Sequence, residues 1–285
     1  MNPDEVSYGK TVEAFERVTS FLKKTGVRPD NARLLAYREF LRDIKNLEPA
    51  KTDTLNATRL WREVHEIIFV IEIFIHNNIT PPAELVVRSF NGKPLEEYSQ
   101  TEGRNFFLEL RASIYFIAAG YSVMLDQQCD IVATKGKDRI FVECKRLYSE
   151  GKARDRVNEC HAQLDKRLAE ADGTYRNHGL AWIDPSPAMQ KHYFVYTAYS
   201  ELGGRLAART DLKVFWSDHV NTVPLHDKRI LAVVLQMVWP GWIAGVGIRT
   251  GFTSLIIPGT HNHGFFATRR VQRIMNGLMS FGELH

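Results

Sequence analysis

The period of the apolar pattern changes partway along the chain. Over the first third it is helical. Val12, Phe15, Val18, Phe21 and Leu22 form one stripe, which predicts a helix over 12–24 that Gly26 stops. Asp30 is the expected N-cap of a second helix over 32–44, with Leu34, Leu35, Tyr37, Phe40 and Leu41 on its apolar face. A third helix, capped by Thr54 or Asn56, runs to His76. Its stripe (Leu60, Trp61, Val64, Ile67, Ile68, Ile71, Phe74, Ile75) is wide enough to be largely buried. Asn77-Asn78 and Pro81-Pro82 end it. Residues 82–100 are mixed, with a turn at Asn91-Gly92-Lys93-Pro94. Helical spacing returns over 104–119, where Phe106, Phe107, Leu110, Ile114, Ile117 and Ala118 make a broad apolar surface closed by Gly120.

From there the period falls to two. Strands are expected over 121–125, 129–133 and 139–144, with turn chemistry at Lys135-Gly136-Lys137-Asp138. An even loop centred between Gly136 and Lys137 pairs Thr134 with Arg139, Val132 with Phe141 and Asp130 with Glu143. Opposed residues share a face, and Lys145, two beyond Glu143, joins them. Val142 and Cys144 turn to the other face. A charged, solvated helix follows, then a short strand over 180–183 ended by Asp184-Pro185-Ser186-Pro187. The aromatic run over 192–200 (Tyr193, Phe194, Tyr196, Tyr199) is expected in the core. A short helix is expected over 202–210 and a central buried strand over 231–238. Glycine-rich 244–257 reads as further strands or a bulged hairpin. The fold class is α/β: a mixed β-sheet core flanked by helices over 99–285, after a helical N-terminal region over 1–98.

Composition narrows this little. The chain has 285 residues, 44% hydrophobic and 25% charged, the balance of a globular protein able to bury a core. A net charge of +4 and a pI near 8.9 are compatible with nucleic acid without requiring it. Cys129, Cys144 and Cys160 have no metal-ligand spacing, and three thiols at apolar positions predict a reduced, cytoplasmic protein. The opening MNPDEVSYGK lacks the basic and apolar regions of a secretory signal. Glu63, His65, Glu66 and Glu72 interrupt the most apolar stretch, so no membrane span is expected.

The chemistry lies in the hairpin. Two carboxylates and an ammonium on one face, drawn from apolar strands, repel unless something positive lies between the acids. Hard oxygen ligands suit Mg²⁺, and a lysine beside it can hold or deprotonate a water. The pattern D-(x12)-E-C-K resembles the signature of the PD-(D/E)XK, restriction-endonuclease-like nucleases, across about 105–183. The resemblance implies a restriction-endonuclease-like sheet core and a Mg²⁺-dependent endonuclease, with Mn²⁺ able to substitute. It implies cleavage of DNA in preference to RNA, in a restriction or phage-defence setting. Asp130 and Glu143 would be metal ligands with the Cys144 carbonyl, and Lys145 would orient the attacking water. Glu109, on the preceding helix, would be a further ligand, or a surface charge paired with Arg111. Cys129 replaces the motif's proline, and Gln163 is followed four residues on by Arg167 where some branches carry Gln-x-x-x-Tyr.

Lys152, Arg154 and Arg156 are the expected phosphate contacts, with Gln163 facing the site. Pairs such as Asp155–Glu159 (repulsive) and Lys166–Glu170 (attractive) belong to a solvated helix face. The helical region is expected to be a scaffold on the sheet, the alternative being dimerisation into a homodimer or substrate binding. His261 and His263 could ligate zinc but lack a third ligand, and Arg269, Arg270 and Arg273 lie on an expected C-terminal helix. Two rival readings stand. In one the fold is catalytically inactive and only binds nucleic acid or a protein partner; in the other Lys145 merely bridges Asp130 and Glu143. Other chemistries are poorly supported. There is no G-x-S-x-G, Gly9-Lys10-Thr11 lacks the first glycine of a P-loop, and Cys160-His161 are helix neighbours that point apart.

Overall fold

The computed structural model describes residues 3–43, 54–94, 102–126, 129–189, 195–221, 227–244, 247–259, 273–274 and 276–278. Helices come first, followed by a seven-stranded mixed sheet with helices packed against it. The chain divides into two compact units. The first is Met1–Phe107, Gln190–Ala207 and Val238–Gly251; the second is Leu108–Met189, Ala208–Met237 and Phe252–His285.

In the first unit, α1 (Pro3–Lys24) starts well before Val12 and takes Gly9-Lys10-Thr11 into a helix rather than a phosphate loop. α2 (Ala32–Asp43) is capped by Asn31 and not by Asp30. Asn31 Oδ1 accepts the N–H groups of Arg33 and Leu34 at 3.0 and 3.2 Å, while Asp30 pairs with Arg28. α1 and α2 pack on α3 (Thr54–His76). The mixed segment holds a short helix, α4 (Ala83–Ser89), whose two turns are too few to establish a period. α5 (Glu102–Ala118) begins here and ends before Gly120, which adopts φ +76°.

Charged side chains lie inside this helical unit. Arg104 Nη2 donates to Glu63 Oε1 at 2.6 Å, Tyr37 Oη donates to the other Glu63 oxygen, and Arg33 Nε donates to Tyr37 Oη at 2.6 Å. The Arg33 guanidinium also donates to Ser89 O at 2.9 Å and lies over the rings of Phe90 and Phe107. All four polar residues are buried.

Three glycines ring a single tryptophan. A Cβ on Gly204, Gly241 or Gly251 would come within 2.2–2.6 Å of the Trp239 indole, so these positions clear space for a ring. Tyr196 meets Trp239 edge to face, whereas Tyr199 is 96% exposed and not core; Tyr193 and Phe194 lie outside the described residues.

The second unit carries the antiparallel β1 (Ser122–Asp126), β2 (Cys129–Lys135) and β3 (Asp138–Arg146). The β2–β3 register pairs Thr134 with Arg139 and Val132 with Phe141, as the even loop predicts, and Gly136 takes φ +59° in the turn. After a 3₁₀ turn at Glu150–Lys152, α6 (Ala153–Glu170) packs on β3 and on β4 (Arg176–Asp184), which is parallel to β3.

α7 (Ser186–Met189), β5 (Tyr196–Ala198), α8 (Glu201–Phe215), β6 (Ile230–Ile243) and β7 (Gly247–Pro258) follow. The sheet order is β1-β2-β3-β4-β6-β5, with β7 also paired to β6. β6 is longer than the predicted strand and buried almost throughout, as a continuous apolar run requires. All three cysteines are free and buried. Among the described residues no helix is long and apolar enough to cross a membrane.

Candidate functional site

The β2–β3 ladder runs to Ile131 opposite Val142, so its next step sets Asp130 across from Glu143. Asp130 Oδ2 accepts the Cys144 N–H at 2.6 Å, which ties the acid to β3.

The electrostatics follow. Burial, then the Asp130 charge, push Glu143 up to about 7, against the pull of Lys145 and Arg167. Asp130 is raised as well, chiefly by burial, despite the Cys144 N–H, Lys145 and Arg167. Lys145 Nζ lies 3.6 Å from Glu159 Oε1 on α6. Its ion pair therefore runs to the helix and does not bridge the two acids. Burial acts to lower Lys145, but the negative charges of Asp130, Glu159 and Glu143 outweigh it and raise the ammonium. A lysine held up keeps its proton at neutral pH. It can hold a water or a phosphate oxygen but is a poor base. Burial pushes the Cys144 and Cys160 thiols well up, so neither is a nucleophile.

Glu109 is half-buried on α5, and its charge reaches the Cys144 thiol. Among the described residues no three His, Cys, Asp or Glu side chains are grouped to hold a metal. The N–H and C=O of a strand residue point to the same side, so the Cys144 carbonyl opens toward Asp130. Two carboxylates and one carbonyl suit Mg²⁺, which takes one or two carboxylates and keeps several waters. Their mutual repulsion is the imbalance a dication relieves. The residues fit such an ion as an open site, not as a closed one.

The basic residues divide. Arg154 Nε donates to Val220 O at 3.2 Å, and Arg156 Nη1 donates to Glu159 Oε2 at 2.6 Å; both guanidinium groups already have protein acceptors. Lys152 is exposed in the 3₁₀ turn. Gln163 is half-buried on α6 with its Oε1 buried and without a hydrogen-bond partner. Lys166 meets Glu170 at 4.0 Å, and Glu159 is engaged by Arg156 and Lys145, which offsets its repulsion from Asp155.

Sequence reasoning missed Arg167 as a site residue. It acts electrostatically on both Asp130 and Glu143. Its spacing from Cys160 and Gln163 along one face of α6 was the available signal. Arg111 and Arg146 form ion pairs with buried Asp184 at 2.8 and 3.2 Å. Arg273 is exposed. His261, His263, Arg269 and Arg270 lie outside the described residues. Comparison of the chain with protein-family models, curated proteins and solved structures gives no match.

Proposed function

We propose that this protein is a divalent-cation-dependent nuclease that hydrolyses phosphodiester bonds, with DNA as the expected substrate. One observation carries the reading: the buried Glu143 and the part-buried Asp130 face each other across β2 and β3, with Lys145 two residues on along the same face of β3. The order α5-β1-β2-β3-α6-β4, antiparallel and then parallel, supports the resemblance to the PD-(D/E)XK nucleases.

Asp130, Glu143 and the Cys144 carbonyl are the groups that would hold Mg²⁺ or Mn²⁺. The ion supplies Lewis acidity to a phosphoryl oxygen and lowers the pKa of a bound water. The Cys144 N–H fixes the Asp130 carboxylate. Glu159 anchors Lys145 from α6, so the ammonium stays near the acids and orients the attacking water. Arg167 adds positive charge where the phosphodiester would lie.

Incubation with plasmid, linear duplex and single-stranded DNA in Mg²⁺, Mn²⁺ or EDTA tests the reading. Cleavage is expected with either ion and not in EDTA. Asp130→Asn and Glu143→Gln each lower it by about a thousandfold without loss of fold. Cleavage that survives Asp130→Asn and Lys145→Ala contradicts the assignment.

A further inference from the structure

The face that carries the acid pair continues into a cavity of about 480 Å³, within the roughly 300–1,000 Å³ range of small-molecule sites. Val132 and Phe141, opposed in the β2–β3 ladder, line it. Asp130 and Glu143 are the next pair on that face, about 7 Å further along the strands. Met124 and Tyr175 add apolar surface. Met124 is 54% exposed, more than core packing requires of such a side chain. Two guanidinium groups complete the lining. Arg139 lies 3.9 Å over the Tyr175 ring, and Arg167 acts on both carboxylates. Their present partners are solvent-accessible acids: Asp172, 3.2 Å from Arg139, and Glu170, 3.7 Å from Arg167. Surface pairs of this kind contribute little, so a phosphate can replace them.

An apolar slot with an aromatic ring and two cations, one step from a phosphodiester-cleaving pair, matches a stacked base with its flanking phosphate. We propose that this cavity seats one unpaired nucleobase of a single-stranded segment beside the bond to be cut, with Arg167 on the intervening phosphate. The proposal rests on the nuclease reading and narrows its substrate to single strands and frayed ends. A paired base must first leave its stack to enter.

Fluorescence anisotropy tests it without chemistry. Labelled oligothymidylate and its duplex with oligoadenylate are titrated in EDTA with Asp130→Asn protein, and with the same protein also carrying Met124→Ala and Tyr175→Ala. Thermal melting checks that both variants are folded. The single strand is expected to bind more tightly than the duplex, and the added substitutions weaken single-strand binding about tenfold while duplex binding holds. Equal binding of the two forms, or single-strand binding that ignores the added substitutions, overturns the subsite. If wild-type protein still cleaves DNA in Mg²⁺, that failure leaves the nuclease reading standing. Absence of both binding and cleavage overturns the two together.

Discussion

Glu63 and Glu143 are both taken out of water, and they are driven in opposite directions. Burial pushes each carboxyl up. Around Glu63 the charges of Arg104, Arg33 and Arg62 and the Tyr37 hydrogen bond reverse that push, and the group ends at about 2. Asp184 behaves alike: burial raises it, Arg111, Arg146 and the Ser186 N–H overcome this, and it ends at about 2. Around Glu143 a second carboxylate adds to the burial, Lys145 and Arg167 fall short, and the group ends at about 7. Burial is common to all three, so the partners decide the sign. A saturated ionic cluster belongs to the scaffold. An acid pair left short of positive charge is disposed to accept a cation.

Removing a partner breaks this comparison most severely. Arg104→Met strands buried Glu63 and is expected to destabilise by about 3–5 kcal/mol in urea unfolding, whereas Glu143→Gln leaves stability unchanged or higher in EDTA. Equal losses would show the two sites to be alike.

The pH dependence sharpens it. Glu63 is lowered from its ordinary 4.5 to about 2, so its contribution is present above pH 4.5 and is lost as the pH falls toward 2. Glu143 is raised from 4.5 to about 7, so its contribution is present below pH 4.5 and is lost as the pH rises through 7. Each amounts to something on the order of 3 kcal/mol. In EDTA the wild-type protein therefore loses stability between pH 4.5 and 7 relative to Glu143→Gln, while the two respond in parallel between pH 2 and 4.5. Melting curves across that range measure the difference. The smallest effect belongs to the surface: Arg156→Ala removes an exposed pair with Glu159 and should change stability by less than about 0.5 kcal/mol.

The hairpin was legible in the sequence because two local signals agreed. A period of two assigned the faces, and Gly136-Lys137 set the register that places Asp130 against Glu143. The anchoring of Lys145 was not, because its partner Glu159 comes from a helix that returns to the strand only in the folded chain. The buried Arg33–Tyr37–Glu63–Arg104 cluster was hidden for the same reason. On an amphipathic helix a charged residue reads as solvent-facing until another element covers it. Arg167 appeared only as a departure from Gln-x-x-x-Tyr, since its significance depends on how α6 crosses β3. Of the glycines around Trp239, Gly251 fell in a stretch read as further strands or a bulged hairpin and Gly204 in an expected helix, because a glycine that makes room for a ring has no local pattern.

Calorimetric titration of Mg²⁺ into the protein at pH 7, in two buffers of different ionisation enthalpy, tests the central claim most directly. A cation held by Asp130 and Glu143 should bind with release of a fraction of a proton, because Glu143 is part-protonated at that pH, and Asp130→Asn should abolish both binding and release. Absence of binding, or binding and proton release unchanged in Asp130→Asn, would contradict it.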